Sequence, residues 1–382
     1  MTFDFDKPTE RRGSDSLKWG KYSGKDVLPL WVADTDFRSS PGVIAALRDR
    51  VEHGVFGYGS TPAGLVETVV ETCAHEWGWN VEPDWLVWLP GLVSGINVTC
   101  RAVGKTGDGV AALTPVYPPF LKAPALMERT LVSIPLAGGN IPGWTVDARR
   151  LAAGLSENCS LLLWCHPHNP VGRAWRREEL EVVAEHCLDQ HTIICSDEIH
   201  NQLILEPGVK HVPMATLGPD IAARTITLLA PSKAFNVAGL GCSLAVIPDD
   251  GLRRRFRRAM AGIVPSVNVM GFAAALAAWR DGAEWLTSQN DYLRGNRDYL
   301  AGRVNDLTGV TMAPVEATYL AWLDVGKLEL ADPVAHFEAH GLGFSDGRDF
   351  AGPGHVRLNF GCTRALLQKA CDRLAGAVAG AG

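Results

Sequence analysis

Short apolar runs recur along the first two thirds of the chain, and each stops at a proline or a polar residue. They are Leu86–Leu89, Gly109–Thr114, Leu161–Cys165, Thr192–Asp197 and Thr225–Ala230. Runs this short, apolar without alternation, predict strands buried on both faces. Helical patterns lie between them. One starts at Pro41, where proline suits a first turn, another covers Leu92–Val103, and a third lies near Arg176–Gln190. Strands alternating with helices predict an α/β fold with a mostly parallel sheet covered on both faces. From Arg253 to Trp285 helical patterning dominates, and a long helix is expected to lead into the remainder. That remainder mixes helices with short strands such as Tyr319–Asp324 and His355–Cys362. The pattern divides the chain into an irregular arm at 1–40, a large domain at 41–285 and a small α+β domain at 286–382. No internal repeat or low-complexity linker interrupts it.

The chemistry sits where the strands stop. Four apolar runs end in turn at Tyr117, Asn169, Asp197 and Lys233, with helical stretches expected after the first three. Ligands of such sheets bind beyond the carboxyl ends of the strands. Tyr117 is stiffened by prolines on both sides and offers a rigid ring for stacking. Asn169 lies in His166-Pro-His-Asn-Pro170, a loop the two X-Pro bonds are expected to hold extended. Asp197, on a buried strand end, needs a cationic partner. Lys233 follows Pro231 and Ser232 in apolar company, where a cation is expensive and a neutral, nucleophilic amine is favoured. Gly239 and Gly241 after it mark a sharp turn or a close approach. Gly91 opens the Leu92 helix, whose free N–H groups at Leu92 and Val93 suit a phosphate. Each feature alone also reads as ordinary structure: a surface lysine, a tyrosine in a turn, a strand arginine at Arg357 with an acidic neighbour.

Composition narrows the class. The chain has 382 residues, 47% of them hydrophobic, and a formal net charge of −6. That balance gives no reason to expect nucleic-acid binding. The basic cluster Arg253–Arg258 reads as the solvated face of a helix. No apolar run reaches membrane-span length. Nine scattered cysteines read as reduced thiols, and the acidic N-terminus does not resemble a signal peptide. The expected location is the cytoplasm, without membrane attachment.

Ser232-Lys233 with Ala-Phe-Asn-Val-Ala-Gly-Leu240 resembles the cofactor-lysine segment of fold-type I pyridoxal 5'-phosphate (PLP) enzymes. More narrowly, the chain is similar to the cystathionine β-lyase-like C–S lyase branch of the class I/II aminotransferase superfamily. Arg11-Arg-Gly-Ser14, Ser16–Trp19 and Ser196-Asp-Glu-Ile-His200 carry that narrower likeness. The resemblance implies the fold-type I architecture, with the arm contributing to the small domain, and PLP on Lys233. It implies that Asp197 pairs with the ring nitrogen, Tyr117 stacks on the ring, and Asn169 and His200 flank the phenolic oxygen. Ser232 and the N–H groups of Leu92 and Val93 would hold the phosphate, with Tyr58 reaching across a homodimer to the neighbour's cofactor. Arg357 would bind the α-carboxylate of an amino-acid substrate, and Ala33 and Asp34 would line its side of the site. His166 and Ala230 depart from the usual asparagine and serine. The implied reaction is β-elimination from cystathionine or another cysteine S-conjugate to a thiol, pyruvate and ammonia. Transamination, or a decarboxylative or oxidative route on a biosynthetic S-conjugate, would use the same residues.

Overall fold

The computed structural model describes residues 3–155 and 158–381. Seven strands make the central sheet: Leu86–Leu89 (β1), Gly109–Thr114 (β2), Thr130–Pro135 (β3), Cys159–Cys165 (β4), Ile193–Asp197 (β5), Thr225–Leu229 (β6) and Ser243–Val246 (β7). Their order is β1-β7-β6-β5-β4-β2-β3. Only β7 runs antiparallel to its neighbours, so the other strands share one direction. Successive side chains of β4 enter opposite cores. Leu161 and Leu163 pack under the Leu92–Ala102 and Asp250–Met260 helices, while Leu162 and Trp164 meet Leu180 and Val183 of the Arg177–Asp189 helix. Coverage on both faces explains why these strands do not alternate with polar residues. The Leu92–Ala102 helix lies close on the sheet: a Cβ on Gly95 would meet Leu89 and Leu228 side chains at 3.0 to 3.3 Å.

A second, antiparallel sheet follows the 23-residue helix Ala283–Asn305. Its strands are Thr311–Met312 (β8), Leu320–Asp324 (β9), Ser345–Asp346 (β10) and His355–Asn359 (β11), in the order β8-β9-β11-β10. Leu28, Leu30 and Phe37 from the N-terminal segment share one core with Leu320, Val356, Leu358 and Leu367. Leu28–Pro29 also pairs in parallel with Leu342–Gly343. The arm is thereby built into the C-terminal part of the molecule.

Three expectations need correction. The link from β5 to β6 carries no long helix, only the three-residue 3-10 helix Met214–Thr216 and the four-residue helix Pro219–Ala222. Side chains anchor it instead: Glu198 is buried, accepting from Ser196 Oγ at 2.7 Å and Met214 N at 3.0 Å, with His211 Nε2 2.7 Å from its other oxygen. The loop at Asn169 is folded, not extended. The peptide bonds into Pro167 and Pro170 are cis, and Gly172 N donates to His168 O at 2.8 Å. Of the two glycines after Lys233, only Gly241 is required, with φ 61° and Pro90 O 3.0 Å from where its Cβ would be. The arginine cluster behaves as expected, with Leu252, Phe256 and Ala259 buried on the opposite face of its helix. All nine cysteines are free and buried. Among the described residues no helix is long and apolar enough to cross a membrane.

Candidate active site

The strand register sets the site. Cys165 lies opposite Asp197, and Asp197 opposite Leu228, so β4, β5 and β6 end nearly level. The segments leaving those ends carry Asn169, Asp197 and Lys233. Tyr117 joins them from β2, its N–H donating to Asn169 O at 3.1 Å. From the other side β11 brings Arg357. Its Nη1 donates to Asn169 Oδ1 at 3.0 Å, and its Nη2 to Trp31 O at 2.7 Å and Ser345 Oγ at 3.3 Å. The two sheets thus meet at the Arg357–Asn169 contact.

Lys233 Nζ donates to Ala33 O at 2.6 Å. Burial pushes this amine down to about 8, against opposing pulls from Asp34 and Asp197 and with a further push from Arg357. A substantial neutral fraction near neutral pH is what a lysine nucleophile needs. Asp197 is buried and accepts only one hydrogen bond among the described residues, from Ile199 N at 3.2 Å. Burial lifts it to about 7, because no cation lies close enough to offset the lost hydration. Burial pulls Arg357 down to about 10, so it remains charged at neutral pH. No carboxylate pairs with it among the described residues, its Nε has no partner, and its guanidinium stacks on Phe350 at 4.7 Å. Burial also raises the Tyr117 phenol, helped by the charge of Asp197. His200 is pushed down to about 3 by burial and by Lys233 and Arg357, and its Nδ1 has no partner.

The arm lies against the Lys233 side of the site. Ala33 and Asp34 lie beside Lys233, and Asp34 is held by Arg11 Nη2 at 2.8 Å. Asp36 is held by Arg11 at 2.7 Å and by the fully buried Lys18 at 3.0 Å. Gly91 precedes the Leu92 helix with no side-chain cap, and the space where its Cβ would be is open. Ser232 is half-buried. Tyr58 makes no contact with these residues and is fully exposed in an irregular segment beside exposed Val55 and Phe56.

Residues 25–374 match the sequence profile of aminotransferase class I and II. The chain belongs to this family. It is similar to cystathionine beta-lyase PatB of Bacillus subtilis (strain 168), 34% identical, with 98% of this chain and 100% of that protein covered. The crystal structure of OvoB is 50% identical with a TM-score of 0.96, covering 98% of this chain and 99% of that one. Cystalysin from Treponema denticola, whose structure contains a pyridoxal 5'-phosphate cofactor, is 30% identical over 100% of both chains, with a TM-score of 0.95.

The donor set fits the cofactor associated with this class I and II family member's relatives. Among the described residues, a buried carboxylate lacks a hydrogen-bonded cation, a helix N-terminus lacks a side-chain cap, and a buried imidazole nitrogen lacks a partner. Several residues at the site escaped the sequence reading. Tyr319 Oη donates to Ala33 O at 2.9 Å, and Asn359 Nδ2 donates to Asp34 O at 2.7 Å and to Val32 O. Tyr319 lies just before strand β9 and Asn359 ends strand β11, both far along the chain, where a polar residue gives no local sign of its partner.

Proposed function

We propose that the protein is a PLP-dependent C–S β-lyase acting on cystathionine or another cysteine S-conjugate. The observation that carries the reading is Arg357: a buried guanidinium without a carboxylate partner among the described residues, close to the Lys233 amine and the Asp197 carboxylate. It leaves a place for an amino acid's α-carboxylate. Similarity to PatB, named a cystathionine beta-lyase, supports elimination as the outcome.

When bound, PLP supplies an electron sink conjugated to the substrate α-carbon. Lys233 would anchor it, and Asp197 would keep the ring nitrogen protonated. Tyr117 and the uncapped Leu92 helix would hold the ring and phosphate, with Ser232 adding a hydroxyl. Asn169 Nδ2 and His200 would serve the phenolic side. Arg357 would hold the substrate carboxylate, on the same side of the molecule as Lys233. The freed Nζ takes the α-proton. Sulfur leaves the β-carbon with the bonding electron pair and becomes a thiol on gaining a proton. Water then releases pyruvate and ammonia. Ala33 and Asp34 line the substrate side.

The exposed Tyr58, with its apolar neighbours Val55 and Phe56, supports a homodimer in which each subunit completes the other's phosphate site. We assign 1–40 to the arm, 41–285 to the large domain and 286–382 to the small domain, and place the enzyme in the cytoplasm. The test is product analysis with L-cystathionine and related S-conjugates. Continuous pyruvate release without added 2-oxo acid is expected. One stoichiometric turnover, restarted only by a 2-oxo acid, would establish transamination instead.

A further inference from the structure

The Ala33 carbonyl is shared by two donors, Lys233 Nζ at 2.6 Å and Tyr319 Oη at 2.9 Å. A carbonyl oxygen has two lone pairs, so both bonds can exist together. The segment around it is held from both ends. Asn359 Nδ2 bonds the carbonyls on either side, Val32 O and Asp34 O. Asn236 Nδ2 bonds Thr35 O at 3.0 Å and Phe37 O at 2.8 Å, and its Oδ1 accepts from Thr35 N at 3.2 Å. With its neighbours occupied in this way, Ala33 O is the carbonyl left for the amine.

Tyr319 is fixed as firmly. It is completely buried, and its ring meets His200 edge-on at 6.3 Å between centroids. Thr318 before it has φ 74°, a region a β-branched residue enters only when its surroundings compel it. Here Thr318 N donates to Leu203 O at 2.8 Å, and Thr318 Oγ1 accepts from Leu320 N at 3.1 Å.

We infer that Tyr319 is a positioning residue for Lys233: its hydroxyl keeps the Ala33 carbonyl hydrogen-bonded when the amine departs, and so releases the amine to react. The inference rests on the role of Lys233 in the proposed function. A buried carbonyl stripped of every donor bears its full desolvation cost. With Tyr319 present, Ala33 O keeps one donor whether Lys233 is there or away. Without the hydroxyl, Lys233 becomes the sole donor and its departure bares the carbonyl. An ammonium is a stronger donor than an amine, so the unshared carbonyl also favours the protonated, unreactive form.

The experiment is Tyr319→Phe, which removes one oxygen and keeps the ring. The other groups facing Lys233 stay in place: Asp34, Asp197, Arg357 and His200. In the full chain stripped of cofactor, competitive acetylation of Lys233 across pH, mapped by mass spectrometry, gives its titration midpoint. The midpoint should rise by about one pH unit, and capture of added PLP should slow about tenfold. Incorporating 3-fluorotyrosine at 319, a stronger donor to Ala33 O, should move the midpoint down. A packing role alone would leave the midpoint unchanged in both proteins, and that result overturns the inference. Acetylation needs neither cofactor nor substrate, so failure of the lyase assignment is read separately, from the products.

Discussion

Replacing Arg357 by alanine separates a carboxylate-binding role from a structural one. In the structure its fork is held by neutral acceptors only, Asn169 Oδ1, Trp31 O and Ser345 Oγ, and Nε is unused. A bound α-carboxylate would add two charge-assisted hydrogen bonds, each worth ~1.5–3 kcal/mol. Their loss corresponds to a fall in kcat/KM of about a hundredfold to ten-thousandfold. Arg357→Lys keeps the charge but loses the planar fork, so an intermediate fall of about tenfold to a hundredfold is expected. Removing Arg357 also strips a partner from Asn169, so a fall in activity alone proves little. The decisive assay is a cycle in which the substrate is changed too. A cysteine S-conjugate is compared with its decarboxylated amine counterpart, following thiol binding or release and the cofactor's spectrum. The native enzyme should prefer the amino acid by the full factor, mostly through KM if the carboxylate is held equally throughout the reaction. Arg357→Ala should treat the two compounds almost alike. If the variant keeps the native preference while losing activity on both, Arg357 is scaffold and the carboxylate lies elsewhere.

Asp197→Ala should lower kcat by about a thousandfold, since an ion pair at ~4 Å and an effective dielectric of ~20 is worth ~4 kcal/mol; a loss below about tenfold would remove Asp197 from its role. Lys233 has a folded pKa of about 8, below its ordinary 10.5. Below about pH 8 the cofactor-free chain therefore carries a costly buried ammonium, and stability should rise between about pH 8 and about pH 10.5, where the unfolded chain still binds the proton. The rise is at most ~3 kcal/mol, less what solvent reaching the amine recovers. Lys233→Met should abolish it, as read from urea midpoints across pH, and an identical rise in that variant would assign the effect to another group. Mixed dimers of Lys233→Ala and Tyr58→Phe subunits should regain activity over either parent, given that Tyr58→Phe alone is badly impaired; no regain after confirmed subunit exchange would place Tyr58 outside a shared site.

Local chemistry made the first half of the site readable. Asn169, Asp197 and Lys233 each end an apolar run, and a parallel sheet brings such ends together whatever the loops do. Asp197 was legible as a carboxylate in want of a cation, and the structure gives it none among the described residues. The second half came from far along the chain and was legible only by resemblance. Nothing in Val356-Arg-Leu358 says that the guanidinium will reach Asn169, 188 residues away. Tyr319 and Asn359 are polar positions at the ends of otherwise buried strands, and their partners are backbone carbonyls, which have no residue identity to detect. The missing helix after Asp197 had a different cause. Apolar spacing could not show that Glu198 would turn inward and bind the loop through His211 and Met214 N.

That same loop accounts for the departure at His166. The imidazole is completely buried and stacks on His211 with centroids 4.4 Å apart, and its Nε2 lies 3.0 Å from Val212 O. A carbonyl can only accept, so Nε2 carries the proton. His166 therefore belongs to the anchor of the 198–214 loop, and its N–H donates to Asp197 O at 2.9 Å. Two stacked imidazolium ions at this separation would repel each other strongly in a buried site. Burial pushes both rings down, His166 further through its neighbour His211, against the pull of the Glu198 carboxylate. The stack of the two rings helps fix the loop that carries His200 to the active site. The substitution at 166 thus changes how the loop is fastened behind Asp197 while leaving Asn169, Asp197 and Lys233 at the strand ends.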